Sequence, residues 1–154
     1  MNIIVIQSDG SFYTRPDSTL KRRPEDFYLP DDISYATART CTFITLIKAG
    51  KAISPAFAHR YFDTLGCGIL FTCERGITHI DGSSYFFPGG TPASELDEEL
   101  SCRIKAELAR VTRHISVRAS DIIAFENDDP ATFRRGDAVN LYPSSETCLE
   151  FNIR

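Results

Sequence analysis

The sequence predicts an α+β domain rich in sheet, and three features lead there. Short runs of β-branched and aromatic residues recur between clusters of Gly, Pro, Asp and Ser. Only one long segment, from Leu96 to Val111, repeats apolar residues at helical spacing over several turns. A chain of 154 residues is long enough for one sizeable core, so residues 1–154 are expected to form a single domain.

In chain order, Asn2 to Ile6 reads as a short buried strand, followed by turn chemistry at Ser8-Asp9-Gly10-Ser11. Pro16, Pro24 and Pro30 with many charges predict an extended surface loop from Thr14 to Pro30, with a brief strand at Phe27 to Leu29. Ile33 to Lys48 carries Thr, Ile, Phe and Tyr and is expected to be β structure. Ser54 as N-cap and Pro55 at the first helical position predict a helix, with Phe57, Tyr61 and Leu65 as its buried stripe and Gly66 as its stop. Cys67 to Thr72 then reads as a central strand. A second helix is expected from about Ser94, capped by Ser94 with Asp97, with Glu98 and Glu99 favourably placed against its dipole. Leu96, Leu100, Ile104, Leu108 and Val111 form its apolar stripe. Strands at Asp121 to Phe125, Ala138 to Tyr142 and Cys148 to Ile153 complete about seven strands and two helices.

Composition excludes several functions. A net charge of -4, with Lys21-Arg22-Arg23 as the only basic cluster, disfavours nucleic acid as a partner. No segment approaches a membrane span, and Ile3 to Ile6 lacks the length and flank of a signal peptide. The odd set Cys41, Cys67, Cys73, Cys102 and Cys148 has no C-x-x-C pair, which predicts free thiols in a cytoplasmic protein and no zinc site.

The stretch Phe57-Ala58-His59-Arg60-Tyr61 resembles a helix of the fumarylacetoacetate hydrolase family. The resemblance extends in order along the chain. It includes Ile3 to Ile6, Arg15 to Leu20 with Phe27-Tyr28-Leu29-Pro30, Ile33-Ser34-Tyr35, Gly66 to Thr72, Asp81-Gly82-Ser83, Ile115 to Phe125, and Phe133 to Ile153 with its Gly136-Asp137 turn. It implies a fumarylacetoacetate hydrolase-like mixed β-roll with two helices, and a homodimer. Family members are similar in having extra strands where this chain has only the linker Phe87 to Ala93.

The resemblance also implies a magnesium or calcium ion held by a Glu-x-Glu pair on one strand and an Asp on the next. Residues two apart on a strand share a face, so both can reach one ion. The preferred register puts Ala36 and Ala38 at the Glu positions; a register anchored on Gly50-Lys51 puts Arg39 and Cys41 there. Leu70 stands for the Asp, and Thr78 for a lysine. The family's Arg-Asp pair reads Glu74-Arg75, its loop after the first strand reads Gln7-Ser8-Asp9-Gly10, and its late Gly-Thr-Pro loop reads Glu126 to Pro130. The metal site is thus expected to be lost, leaving no cofactor.

What remains is a possible pocket at Glu74, Asp81 and Ser83, with His79 the one histidine worth testing as a base. His59 and His114 stand in no triad order, and Asp31 and Asp32 read as solvated turn acids. Two functions follow. The first is a catalytically silent member with a structural, regulatory or small-ligand role, the ligand being a small oxo-acid. The second is a metal-independent hydrolase or isomerase of small oxo-acids. An open polar pocket between Ala38, Leu70, His79 and Asp81 favours the second; a filled apolar core there favours the first.

Overall fold

Period-two burial along a long central strand organises the molecule. The computed structural model describes residues 1–73, 82–144 and 148–154. Within them run β1 (Asn2–Ile6), β2 (Phe12–Pro16), β3 (Leu20–Lys21), β4 (Tyr35–Thr45), β5 (Thr64–Cys73), β6 (Ser84–Phe86), β7 (Thr91–Pro92), α1 (Glu98–Thr112), β8 (Ile122–Glu126), β9 (Ala131–Arg134), β10 (Ala138–Leu141) and β11 (Leu149–Asn152). The main sheet has the order β2-β1-β8-β4-β5-β6-β3, with β7 added to β5 and β9 to β4; β10 and β11 form a separate antiparallel pair. The sheet is mixed, because β1 runs parallel to β8 and β3 parallel to β6.

The two end strands of this order, β2 and β3, are joined directly by the 3-10 turn Asp17–Thr19, so the sheet curls towards itself. Arg15 from β2 and Thr19 from the turn both reach Ser84 on β6, and Tyr13, Leu20 and Phe86 pack into one interior cluster. That interior is filled by Ile3, Val5, Phe43, Leu70, Ile122 and Ala124. Glycines let the strands approach: a Cβ on Gly68 would sit 2.3 Å from the Tyr85 carbonyl oxygen.

The outer face has two covers. One half packs on α1 and the turn before β5, through Ile44, Leu46, Ala58, Phe62, Ile104, Leu108 and Val111. The other half packs on the β10–β11 pair, where Val139, Leu149 and Phe151 meet Ala36, Ala38, Ile69 and Phe71. α1 keeps the expected stripe, with Ile104, Leu108 and Val111 buried and Leu96 and Leu100 partly so.

Several expectations are corrected. The first helix is a six-residue 3-10 helix, Pro55–Arg60, not an α-helix reaching Leu65. Its period of three buries Ala58, leaves Phe57 51% exposed, and passes Leu65 to β5. Pro55 does open it, but Ser54 makes no side-chain cap. α1 is capped by Asp97 alone, whose carboxylate accepts from Leu100 N at 2.7 Å; Ser94 lies in the preceding 3-10 turn Ala93–Glu95. The supposed loop after Thr14 instead contains the end of β2 and all of β3. Phe27 makes a single bridge to Ile153 rather than a strand.

Candidate functional site

The β4–β5 register decides which side chains can meet. Directly opposed residues of an antiparallel pair share a face, and neighbours along a strand do not. Leu70 lies opposite Arg39, and Gly68 opposite Cys41, on the interior face. Ala36 and Ala38 lie opposite Cys73 and Phe71 on the outer face, fully packed beneath β10 and β11. The preferred set Ala36, Ala38 and Leu70 therefore cannot converge on one ion. The alternative set, Arg39, Cys41 and Leu70, shares a face.

Around Arg39 the interior turns polar. β2 contributes Tyr13 and Arg15, paired with Val5 and Ile3 of β1, and β8 contributes Glu126, paired with Cys41. Arg15 is 1% exposed. Its Nε and Nη2 donate to the Tyr13 hydroxyl at 3.3 and 3.1 Å, and its Nη1 donates to Ser84 Oγ at 3.3 Å and the Ser83 carbonyl at 3.4 Å. All these acceptors are neutral. The Arg39 side chain is 30% exposed, and its Nη1 stands 3.9 Å from Glu126 Oε1, whose side chain is only 4% exposed.

Burial pushes the Glu126 carboxyl above the usual range, while Arg39, Arg15 and a hydrogen bond from Gln7 pull it down. Burial also raises the Cys41 thiol far enough to keep it protonated, against the pull of Arg15. Tyr13 is raised by burial, with Arg15 opposing. Glu126 borders a hollow of about 240 Å³ together with Gln7, Ser8, Gly10, Arg103 and Glu107. A separate hollow of about 490 Å³ is bordered by Thr19, Lys21, Glu25, Gly82, Ser83 and Tyr85. Tyr85 there is pushed up to about 12 by burial.

This curled sheet has close structural relatives. Over 99% of the chain it superposes on 92% of a fumarylacetoacetate hydrolase family protein from Yersinia pestis, at TM-score 0.77 and 13% identity. It matches 69% of maleylpyruvate hydrolase from Sphingobium at TM-score 0.75 and 14% identity, again over 99% of its own length. With the same coverage of itself it matches 73% of 2-hydroxyhepta-2,4-diene-1,7-dioate isomerase from Mycobacterium marinum, at TM-score 0.76 and 12% identity. The fold is that of the fumarylacetoacetate hydrolase family. By sequence alone the chain matches no family profile and no curated protein.

The fumarylacetoacetate hydrolase-like fold raises the question of a divalent ion. At the positions that the second register matches to the family's ligands, on the face of Leu70, stand a guanidinium, a thiol and an isobutyl group, with the Glu126 carboxylate beside them. Hard divalent cations take oxygen ligands, so these three do not suit one. Among the described residues no three His, Cys, Asp or Glu side chains converge as ligands. His79, Thr78, Glu74 and Asp81 lie outside the described residues. Ser83 is placed, buried, with its carbonyl on Arg15. Ala38 is packed among apolar side chains beneath β10 and β11, whereas Leu70 joins the interior apolar cluster at its border with Arg39 and Ser84. Asp31, Asp32, His59 and His114 are exposed, away from the interior face.

Sequence reading did not single out Tyr13, Arg15 or Glu126 as a group. Tyr13 and Arg15 are two apart, a strand spacing, but the loop expected from Thr14 onward includes Arg15 and breaks that spacing. Their meeting with Glu126 depends on β1 pairing with both β2 and β8, across more than a hundred residues.

Proposed function

We propose that this fumarylacetoacetate hydrolase-fold protein is catalytically silent towards the metal-dependent chemistry of its structural relatives, and that it serves as a small-ligand binder or a structural partner. The observation that carries this reading is the set of side chains on Leu70's face. Arg39 brings a fixed positive charge to a position where the resemblance calls for a carboxylate, and Leu70 offers no oxygen. Leu70 is buried and packs with Ile3, Val5, Phe43, Ile122 and Ala124, which supports a retained core rather than a rebuilt metal centre. The ligand in this reading is a small oxo-acid. The five free cysteines support a reducing, cytoplasmic setting, and a homodimer follows from the resemblance.

The test is a panel of acylpyruvates and fumarylacetoacetate-like diketones with Mg²⁺, Mn²⁺ and Ca²⁺, read by loss of diketone absorbance. Turnover with any pair refutes silence. A second reading, metal-independent chemistry on small oxo-acids, is favoured by one observation: Glu126 is a buried carboxyl raised by burial and set beside a cation, as a general acid or base is. Turnover that survives chelation and disappears in E126Q would establish it. Size-exclusion chromatography with light scattering tests the dimer.

A further inference from the structure

We propose that Arg39, backed by Arg15, forms an anion site at the polar end of the curled sheet and takes a small carboxylate directly on the guanidinium. The inference rests on the reading above only in requiring no divalent ion there. It starts from the charges at that end of the sheet. The structure sets two guanidiniums, Arg15 and Arg39, about the Glu126 carboxylate, with Asp128 adding a further negative field. Neither guanidinium hydrogen-bonds to that carboxylate. Among the described residues Arg15 donates to neutral oxygens, and Arg39 stands at 3.9 Å, well beyond the 2.7–2.9 Å typical of a charge-assisted hydrogen bond.

Arg39 is therefore a planar five-donor group with its hydrogen-bonding capacity free among the described residues, 30% exposed, on the rim of a low-dielectric interior. Arg39 stands 3.9 Å from its described counter-ion and so keeps donors for a second anion, and the field of the buried Arg15 adds to the attraction. The fork geometry selects a planar carboxylate, which accepts two parallel hydrogen bonds. Arg15 lies too deep to be touched, and acts by its field. The Tyr13 ring beneath it, with its centroid 5.7 Å from the Arg15 guanidinium carbon, holds it in place. Glu126 competes with the ligand for Arg39, with Gln7 hydrogen-bonded to it. That competition gives the site a signature, because removing the Glu126 charge must strengthen binding while removing Arg39 must weaken it.

The test titrates the full chain with malonate and, as an inorganic comparison, sulfate, by calorimetry at fixed ionic strength. Saturable one-site binding of malonate, tighter than sulfate, is expected. R39M should weaken malonate by about tenfold or more, the loss typical of a charged hydrogen-bonded pair. E126Q should tighten it by a few-fold, and R22M, at an exposed arginine elsewhere, should change nothing. Thermal unfolding without ligand checks that each variant is folded. No saturable binding to the wild type, equal binding by R39M, or weakening in E126Q as large as in R39M would overturn the site. Sulfate as tight as malonate would overturn the carboxylate assignment. Metal-dependent turnover of a diketone would refute the silent reading instead, and it leaves the R39M and E126Q comparison to decide the anion site separately.

Discussion

Ala38 and Arg39 are neighbours in sequence, and the β4–β5 register places them on opposite faces, so two single substitutions test the register. Ala38 is 1% exposed, opposite Phe71, in a cluster that is apolar throughout. A38E would bury a carboxylate there with no cation in the cluster. An uncompensated buried charge costs about 3–5 kcal/mol, and the added volume in a filled core about 1–3 kcal/mol more. That sum approaches the entire stability of an ordinary domain, about 5–15 kcal/mol. At roughly 2–4 °C per kcal/mol for a chain of this size, A38E should melt at least about 10 °C below the wild type. Arg39 makes only a long, partly solvated ion pair. R39Q should cost about 1 kcal/mol or less, a shift under about 4 °C. Differential scanning calorimetry of the three proteins at neutral pH is the assay. If A38E melts within a few degrees of the wild type, or if R39Q falls as far as A38E, the assignment of faces is wrong, and the account of the interior site goes with it.

Three further outcomes are expected. R15M removes the described side-chain hydrogen bonds from β2 to the Ser83 carbonyl and Ser84 Oγ and should cost about 2–3 kcal/mol in urea denaturation, since it strands the buried Ser83 carbonyl; a loss below about 1 kcal/mol would show that Arg15 does not hold the seam. D97A removes the only side-chain cap of α1 and should cost about 1 kcal/mol by the same measurement. The Glu126 carboxyl is raised in the folded state, so its contribution to stability is complete below the unfolded carboxyl value and is lost as pH rises through the folded one. E126Q should therefore have a flatter melting-temperature profile than the wild type from about pH 4 to 8, with its relative gain on the alkaline side. A steeper profile for E126Q would contradict the direction of that shift.

Much of the fold could be read from local pattern, because local pattern is what secondary structure obeys most directly. β1 was expected over the residues it occupies, and α1 showed itself by five apolar residues at helical spacing and an acidic first turn. The shortest strands were hidden. β3 has two residues and β6 three, and both owe their conformation to partners far away in the chain. Pro55 and the aromatics after it carry a helical signature, but six residues cannot span to Leu65, and packing of Ala58 and Phe62 decided the turn. For the site, residue types at positions suggested by resemblance were enough to doubt a cation. The register was not. Whether Ala38 or Arg39 faces Leu70 is a difference of one residue, and a one-residue slip inverts every side chain of a strand. Only the pairing with β5 settles that, and pairing is a property of the assembled sheet.

The continuous stretch from Phe12 to Lys21 supplies both terminal strands of the main order. Unpaired strand margins invite aggregation and uninvited β-addition, and proteins usually guard each margin separately. Here one short run of backbone, with Pro16 at its bend, guards the two together. A single nick between Asp17 and Thr19 would unlink the two margins, leaving β2 to its five-residue ladder with β1 and β3 to only two residue pairs with β6.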